Sequence, residues 1–293
     1  MAMENKKRKL GYLCTIVTCF IWGSIYVASK IALQAISPVE VLFFRYLVGI
    51  ISLSVLLIGK KSKKKVEKGD WKYICLVGGS GYFLSITFQM IGTKLLDASL
   101  ASLINSLCPI VISVLAAIFL KERIQLKHAL GIVISLVGIY VILGVGGASI
   151  NLWGVITSLC AVFFWSSASV AIRKISGRYD PVQISLYGIV IAFFFTILVK
   201  LAETRGQLPA ITVEAAIACI YLGVVGTAVA HTLWNYSLSL LNASVCSMFY
   251  PIQPLTSALL GVLLFHEVIT RSFIVGGILI CLGVIVSVME RKK

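Results

Sequence analysis

Long apolar stretches alternate with short polar gaps from one end of the chain to the other. Apolar runs occupy residues 10–32, 38–58, 71–91, 98–120, 127–145, 151–173, 181–201, 213–235, 242–264 and 271–289. A helix needs roughly 20 apolar residues to cross the hydrocarbon of a bilayer, and each run supplies about that many. The pattern predicts an all-α membrane protein of about ten transmembrane helices. Nothing is left over for a soluble domain.

Composition strengthens this picture. The chain has 293 residues, of which 59% are hydrophobic and 13% charged, where a soluble domain has about half and about a quarter. Its mean hydropathy is +1.00. So much apolar surface cannot be hidden in a water-soluble core, so the bilayer is the main solvent. The N-terminal basic cluster ahead of run 10–32 has the look of a signal peptide. The run is long, lacks a small-residue cleavage site and is followed by more spans, so it is taken as the first span.

The net charge of +15 raises the question of nucleic acid, but the placement of the cations argues against it. Lysine and arginine gather in alternate gaps: Lys6, Lys7, Arg8 and Lys9; then Lys60, Lys61, Lys63, Lys64, Lys65, Lys68 and Lys72; then Lys121, Arg123 and Lys127; then Arg173, Lys174 and Arg178; then Arg291, Lys292 and Lys293. The intervening gaps hold only Lys94, Lys200, Arg205 and Arg271. By the positive-inside rule both termini are cytoplasmic. The segment 60–72 is expected as a solvated tether near anionic lipid head groups. The eight cysteines all lie inside apolar runs without a CxxC pair. They read as small hydrophobes, and no metal or other cofactor is implied.

The two halves of the chain repeat each other. Asp97-Ala98-Ser99 matches Asn242-Ala243-Ser244, Pro109 matches Pro254, Glu122 matches Glu267, Gly131 matches Gly276 and Gly138 matches Gly283, each pair 145 residues apart. A second series, 143 apart, relates Trp22 to Trp165, Lys30 to Arg173 and Pro38 to Pro181. The domains are therefore 1–145 and 146–293, joined at the glycine-rich stretch 144–149. Five spans per half place the second copy upside down. Inverted repeats around a central site are the architecture of secondary transporters.

The run Gly226-Thr227-Ala228, Trp234-Asn235-Tyr236, Asn242-Ala243-Ser244, Pro254, Leu263 to Glu267, Gly276-Gly277 and Gly283 resembles the EamA domain. So does Trp22-Gly23-Ser24, Lys30, Arg45-Tyr46 and Glu122 in the first half. EamA proteins belong to the drug/metabolite transporter superfamily. The resemblance covers nearly the whole chain twice. It implies ten spans and the export, or less often the uptake, of small metabolites such as amino acids.

Polar and aromatic groups within spans mark the candidate site, because they are costly there and face the interior or a wet cavity. Trp22 and Tyr26 in span 1 and Trp165 and Ser169 in span 6 stand at repeat-equivalent, mid-membrane positions. They form an aromatic wall or, alternatively, a helix contact. Tyr82, Ser85 and Gln89 share one face of span 3. His231 and Asn235 share one face of span 8 with Thr227. His231 reads as a proton relay or as a satisfied polar contact. Span 9 carries Tyr250, Pro251, Gln253 and Pro254; two prolines three apart free backbone carbonyls and predict a kink or gate. Asn105 and Pro109 in span 4 are the weaker counterpart. Lys30 and Arg45 sit toward the outer ends of spans 1 and 2, either attracting an anionic substrate or holding structure. Glycines 131, 138, 276 and 283 are expected to pack spans 5 and 10 closely, a dimer seam being the alternative to a monomer.

No acidic residue falls mid-span, which favours facilitated diffusion or exchange over proton or sodium coupling. The function expected is a plasma-membrane (bacterial inner-membrane) secondary transporter of an amino acid, aromatic or otherwise apolar, working by alternating access as an exporter or facilitator. An organic-anion, sugar-phosphate or nucleotide-sugar exchanger is the runner-up. An integral-membrane enzyme is the alternative of a different class, and no HExxH or GxSxG motif supports it. The partners are a small-molecule substrate and membrane lipids.

Overall fold

The computed structural model describes residues 2–58, 64–120, 126–145, 150–204, 210–241, 246 and 249–288. Among the described residues, seven helical stretches are long and apolar enough to cross a bilayer: Lys7–Leu33, Pro38–Ile58, Lys68–Leu95, Ala98–Leu115, Leu152–Ile175, Pro181–Glu203 and Val213–Leu240. Three shorter apolar helices, Val133–Ile142, Ile252–Phe265 and Arg271–Val286, fall where the fifth, ninth and tenth runs were expected. The outer face of the bundle is apolar, with Phe20, Val55, Phe119, Trp153, Phe194 and Leu255 all exposed. Such a surface suits hydrocarbon, and helices keep their backbone hydrogen bonds internal there.

In chain order the helices are α1 (Ala2–Leu33), α2 (Pro38–Ile58), α3 (Trp71–Leu76), α4 (Ile86–Leu95), α5 (Ala98–Asn105), α6 (Cys108–Leu120), α7 (Leu126–Val145), α8 (Leu152–Ile175), α9 (Pro181–Thr204), α10 (Val213–Gly223), α11 (Ala230–Leu240), α12 (Ile252–Phe265) and α13 (Arg271–Val288). Between α3 and α4 the chain stays helical but widens into a π segment, Val77–Ser85. A second π segment, Val224–Val229, joins α10 to α11. Adding 145 to the first gives 222–230, which contains the second. The two halves thus share an irregularity as well as residues. A π turn widens the helix locally and is frequent at functional sites.

Two further expected spans differ from a simple helix. The fourth is broken at Ser106-Leu107, between α5 and α6. Pro109 lacks an N–H and sits in the first turn of α6, where none is needed. Pro251 and Pro254 do not kink the interior of a helix. Pro251 is the N-cap of α12 and Pro254 lies in its first turn, so the pair starts a helix. Residues 242–245 and 247–248 of the expected ninth span lie outside the described residues, as does most of the glycine-rich joint at 146–149.

The segment 60–72 is only partly the solvated tether expected; its residues 60–63 lie outside the described ones. Val66 is buried with Ile74, Ile175, Tyr179 and Ile184. Asp70 accepts a hydrogen bond from Tyr179 at 2.7 Å and pairs with Arg178 at 2.7 Å. The tether therefore folds back onto the turn between α8 and α9 and ties the first half to the second. Tyr179 lies in that turn, and its bond to the Asp70 carboxylate holds the phenol's pKa above the ordinary tyrosine value.

The halves also meet along α7 and α13. A Cβ on Gly138 would lie 2.7 Å from the Gly276 carbonyl oxygen, and one on Gly283 would lie 2.6 Å from that of Gly131. The glycine faces are covered by each other, within one chain. Close backbone approach of this kind is how helices associate where no hydrophobic force separates protein from lipid.

Candidate functional site

The sequence candidates converge on a small cavity inside the bundle. It is lined by Trp22, Ile25, Arg45, Ser85, Ile86, Gln89, Asn105, Trp165, His231 and Gln253, and its volume is about 20 Å³. That is room for about one water molecule, so the cavity has to widen before it holds a metabolite. Its walls come from α1, α2, α4, α5 and the first π segment in one half, and from α8, α11 and α12 in the other. Ser85 ends one π segment and His231 lies just beyond the other.

Trp22 is the hub of an aromatic cluster. Its ring centroid lies 5.2 Å from Trp165, 5.1 Å from Trp234, 5.9 Å from His231 and 6.2 Å from Tyr250. Tyr82 meets His231 edge-on at 4.7 Å. Edge-on and tilted arrangements are the favoured ones for aromatic quadrupoles. The Trp165 indole N–H donates to the Tyr250 hydroxyl at 2.7 Å, while His231 Nδ1 lies 3.0 Å from the Thr227 carbonyl oxygen. Asn105 Nδ2 donates to Gln253 Oε1 at 3.3 Å, joining the two halves across the cavity wall.

Arg45 is fully buried. The sequence placed it toward the end of a span, yet its side chain reaches the cavity. Its Nε donates to Thr227 Oγ1 at 2.7 Å, and Nη1 and Nη2 have no hydrogen-bond partner among the described residues. No aspartate or glutamate is among the described residues that line the cavity.

Lys30 behaves differently. Its Nζ pairs with Asp97 at 3.1 Å and with Glu267 at 3.2 Å, at the end of the bundle expected to face outward. Glu267 also accepts from the Ala98 N–H at 2.8 Å, the Ser99 N–H at 3.2 Å and the Ser99 hydroxyl. It thereby satisfies donors at the start of α5 that have no partner within the helix. His266, at φ 55°, turns the chain back so that Glu267 reaches α5. Left-handed backbone at a non-glycine residue is costly, and such outliers concentrate at functional positions. Lys30, Asp97 and Glu267 form an ionic clasp between the halves rather than part of the cavity.

Other candidates are buried nearby but do not line the cavity. Ser169 donates to the carbonyl of Trp165 in its own helix, and Asn235 donates to Ser185 at 2.9 Å. Tyr26 and Tyr82 are buried with hydroxyls lacking partners among the described residues. Pro109, Pro251 and Pro254 shape the helix starts described above. Trp234 escaped the site reading although it stands three residues beyond His231, on the same helical face.

Comparison with known proteins places this fold. The EamA-like transporter family matches the chain twice, over residues 9–144 and 152–289. The chain belongs to the EamA-like transporter family. It is 26% identical over 290 residues to the uncharacterized transporter YoaV of Bacillus subtilis, covering 95% of this chain and 97% of that protein. It is also 26% identical to an uncharacterized transporter of Archaeoglobus fulgidus, over 96% of this chain and 99% of that one. A solved crystal structure superimposes with a TM-score of 0.71 at 20% identity, covering 94% of this chain and 96% of the other; it shows the fold alone. The chain is thus a multi-pass membrane protein of a transporter family, and the cavity lies where its two EamA copies meet.

Proposed function

We propose that this EamA protein carries a small metabolite across the plasma membrane by alternating access. The substrate proposed is an amino acid with an aromatic or apolar side chain, and the protein acts as an exporter or facilitator. The observation that carries the reading is the cavity itself: a polar, aromatic-walled space lined by both EamA copies. In this reading the two copies are inverted, the chain spans the bilayer ten times and both termini face the cytoplasm. Rocking one copy against the other would open the cavity to each side in turn.

The flat rings of Trp22 and Trp165 suit a flat or apolar side chain, and Gln89, Asn105 and Gln253 supply hydrogen bonds. The lack of an acidic lining residue among those described favours diffusion or exchange without ion coupling. An organic anion is the second reading, favoured by the unpaired terminal nitrogens of Arg45. A doubly charged sugar phosphate fits less well, with a single arginine and no lysine among the described lining residues. The test is flux of labelled amino acids into proteoliposomes, with and without a pH gradient. Saturable flux that ignores the gradient supports the reading; no protein-dependent flux of any amino acid contradicts it.

A further inference from the structure

We propose that Arg45 docks a carboxylate of the transported molecule between its two terminal nitrogens, and that the described lining of the cavity offers an ammonium group no acidic partner. This rests on the reading of the cavity as the substrate site and specifies which part of the substrate it recognises.

A buried guanidinium with two unpaired nitrogens is an expensive arrangement unless a partner arrives. Snorkelling does not relieve it, because Arg45 is 0% exposed. Nor does a neighbouring acid, because none lines the cavity among the described residues. Thr227 holds Nε at 2.7 Å, which fixes the plane of the guanidinium and leaves Nη1 and Nη2 as a fork. That fork matches the two oxygens of a carboxylate through parallel N–H···O bonds. Gln253 Nε2, also on the cavity wall, is a further buried donor without a partner among the described residues.

Two of the wall's amide acceptors are already engaged. The Asn105 amide oxygen accepts from Cys108 Sγ at 3.4 Å, and that of Gln253 accepts from Asn105. The wall atoms that are buried without a partner among the described residues, Arg45 Nη1 and Nη2 and Gln253 Nε2, are all donors, the complement of an anion. An ammonium entering here would meet no carboxylate among the described lining residues, and its cation–π contact with the aromatic faces is weaker than the fork's grip on a carboxylate. A phosphate carries about two charges at neutral pH and would find a single cation.

The experiment measures binding by calorimetry to the full chain in phosphatidylcholine nanodiscs, a lipid without a carboxylate. The probes are 3-phenylpropanoate, phenylalanine, phenethylamine and benzylphosphonate. The acid and the amino acid should bind, with the amine and the phosphonate at least about tenfold weaker. Arg45→Lys should weaken both carboxylates about tenfold, since a point charge replaces a fork. Thr227→Val, nearly isosteric, should weaken them several-fold in a protein that still folds, with its melting temperature lowered by the loss of the bond to Nε. Should Arg45→Lys fail to fold, the wild-type probe series decides alone. Amine or phosphonate binding within roughly threefold of the acid overturns the carboxylate seat and leaves the transport reading standing. So does wild-type affinity in a folded Arg45→Lys. Binding of none of the four overturns the substrate class itself, and the seat with it.

Discussion

Trp165 donates its indole N–H to the Tyr250 hydroxyl at 2.7 Å. Trp165 stands in the middle of α8, while Tyr250 sits in the turn that leads into α12. The bond fixes a cavity-lining ring against the element that presents Gln253. Trp165→Phe keeps an aromatic face but leaves the Tyr250 hydroxyl without its donor. We expect a stability loss of about 1–2 kcal/mol and a raised KM for transport, read from thermal melting and flux. Trp165→Ala, which also removes contacts with Trp22, Tyr82 and His231, should cost about 3–5 kcal/mol and abolish flux.

The Lys30–Glu267 clasp is expected to hold the bundle closed at its outward end. Glu267→Gln keeps the shape but removes the ion pair and weakens the capping of α5, a loss of roughly 1–3 kcal/mol. Gly261→Ala should act similarly, because its new Cβ would collide with the Glu267 carboxylate. Both should raise maleimide labelling of Cys108, a buried neighbour of Asn105, read site by site by mass spectrometry. Unchanged labelling of Cys108 would show that the clasp does not gate access.

The opposite end of the bundle is tied by Asp70, Arg178 and Tyr179. The Tyr179 pKa is raised, chiefly by its hydrogen bond to Asp70. The protonated phenol is therefore the form that folding favours. Its contribution is present below the ordinary tyrosine pKa of about 10 and is lost as pH rises through the raised value. Melting temperature measured from pH 8 to pH 11 should fall more steeply in wild type than in Tyr179→Phe. Parallel curves would remove Tyr179 from the tie.

Gly138 and Gly276 bring α7 and α13 into backbone contact. Gly138→Leu must push the helices apart, at a cost of about 1–3 kcal/mol or more. Because the face is covered by the chain's own α13, the substitution should lower the melting temperature without altering the mass of the particle in light scattering. A change of particle mass at an unaltered melting temperature would instead place this face between two chains.

Much of the cavity could be read from the chain before its fold was known. The 3.6-residue period put Ser85 and Gln89 on one face, and the repeat singled out Trp22 and Trp165 as equivalents. What the sequence could not supply was pairing. Lys30 and Glu267 are 237 positions apart, and no local pattern says that the lysine meets a carboxylate while Arg45 meets none among the described residues. Asn235 and Ser169 showed the same polar signal as Asn105, yet their hydrogen bonds go to Ser185 and to the helix's own backbone. The π segments were illegible because a π turn has no residue signature of its own. Only their recurrence under the 145-residue offset reveals them as a property of the repeat. The two prolines of the ninth run signalled irregular backbone correctly, but a helix start and a helix kink look alike in sequence.

The central claim is that a substrate passes through the cavity between the two EamA copies. Counterflow of labelled phenylalanine in proteoliposomes tests it most directly, comparing wild type with Asn105→Ala and Gln253→Ala. Neither substitution breaks an ion pair or empties a large apolar volume, so both proteins should fold. Wild type is expected to exchange label with saturable kinetics, and both variants to lose at least about tenfold in rate. Wild-type exchange in both folded variants would contradict the claim and move the pathway elsewhere in the bundle.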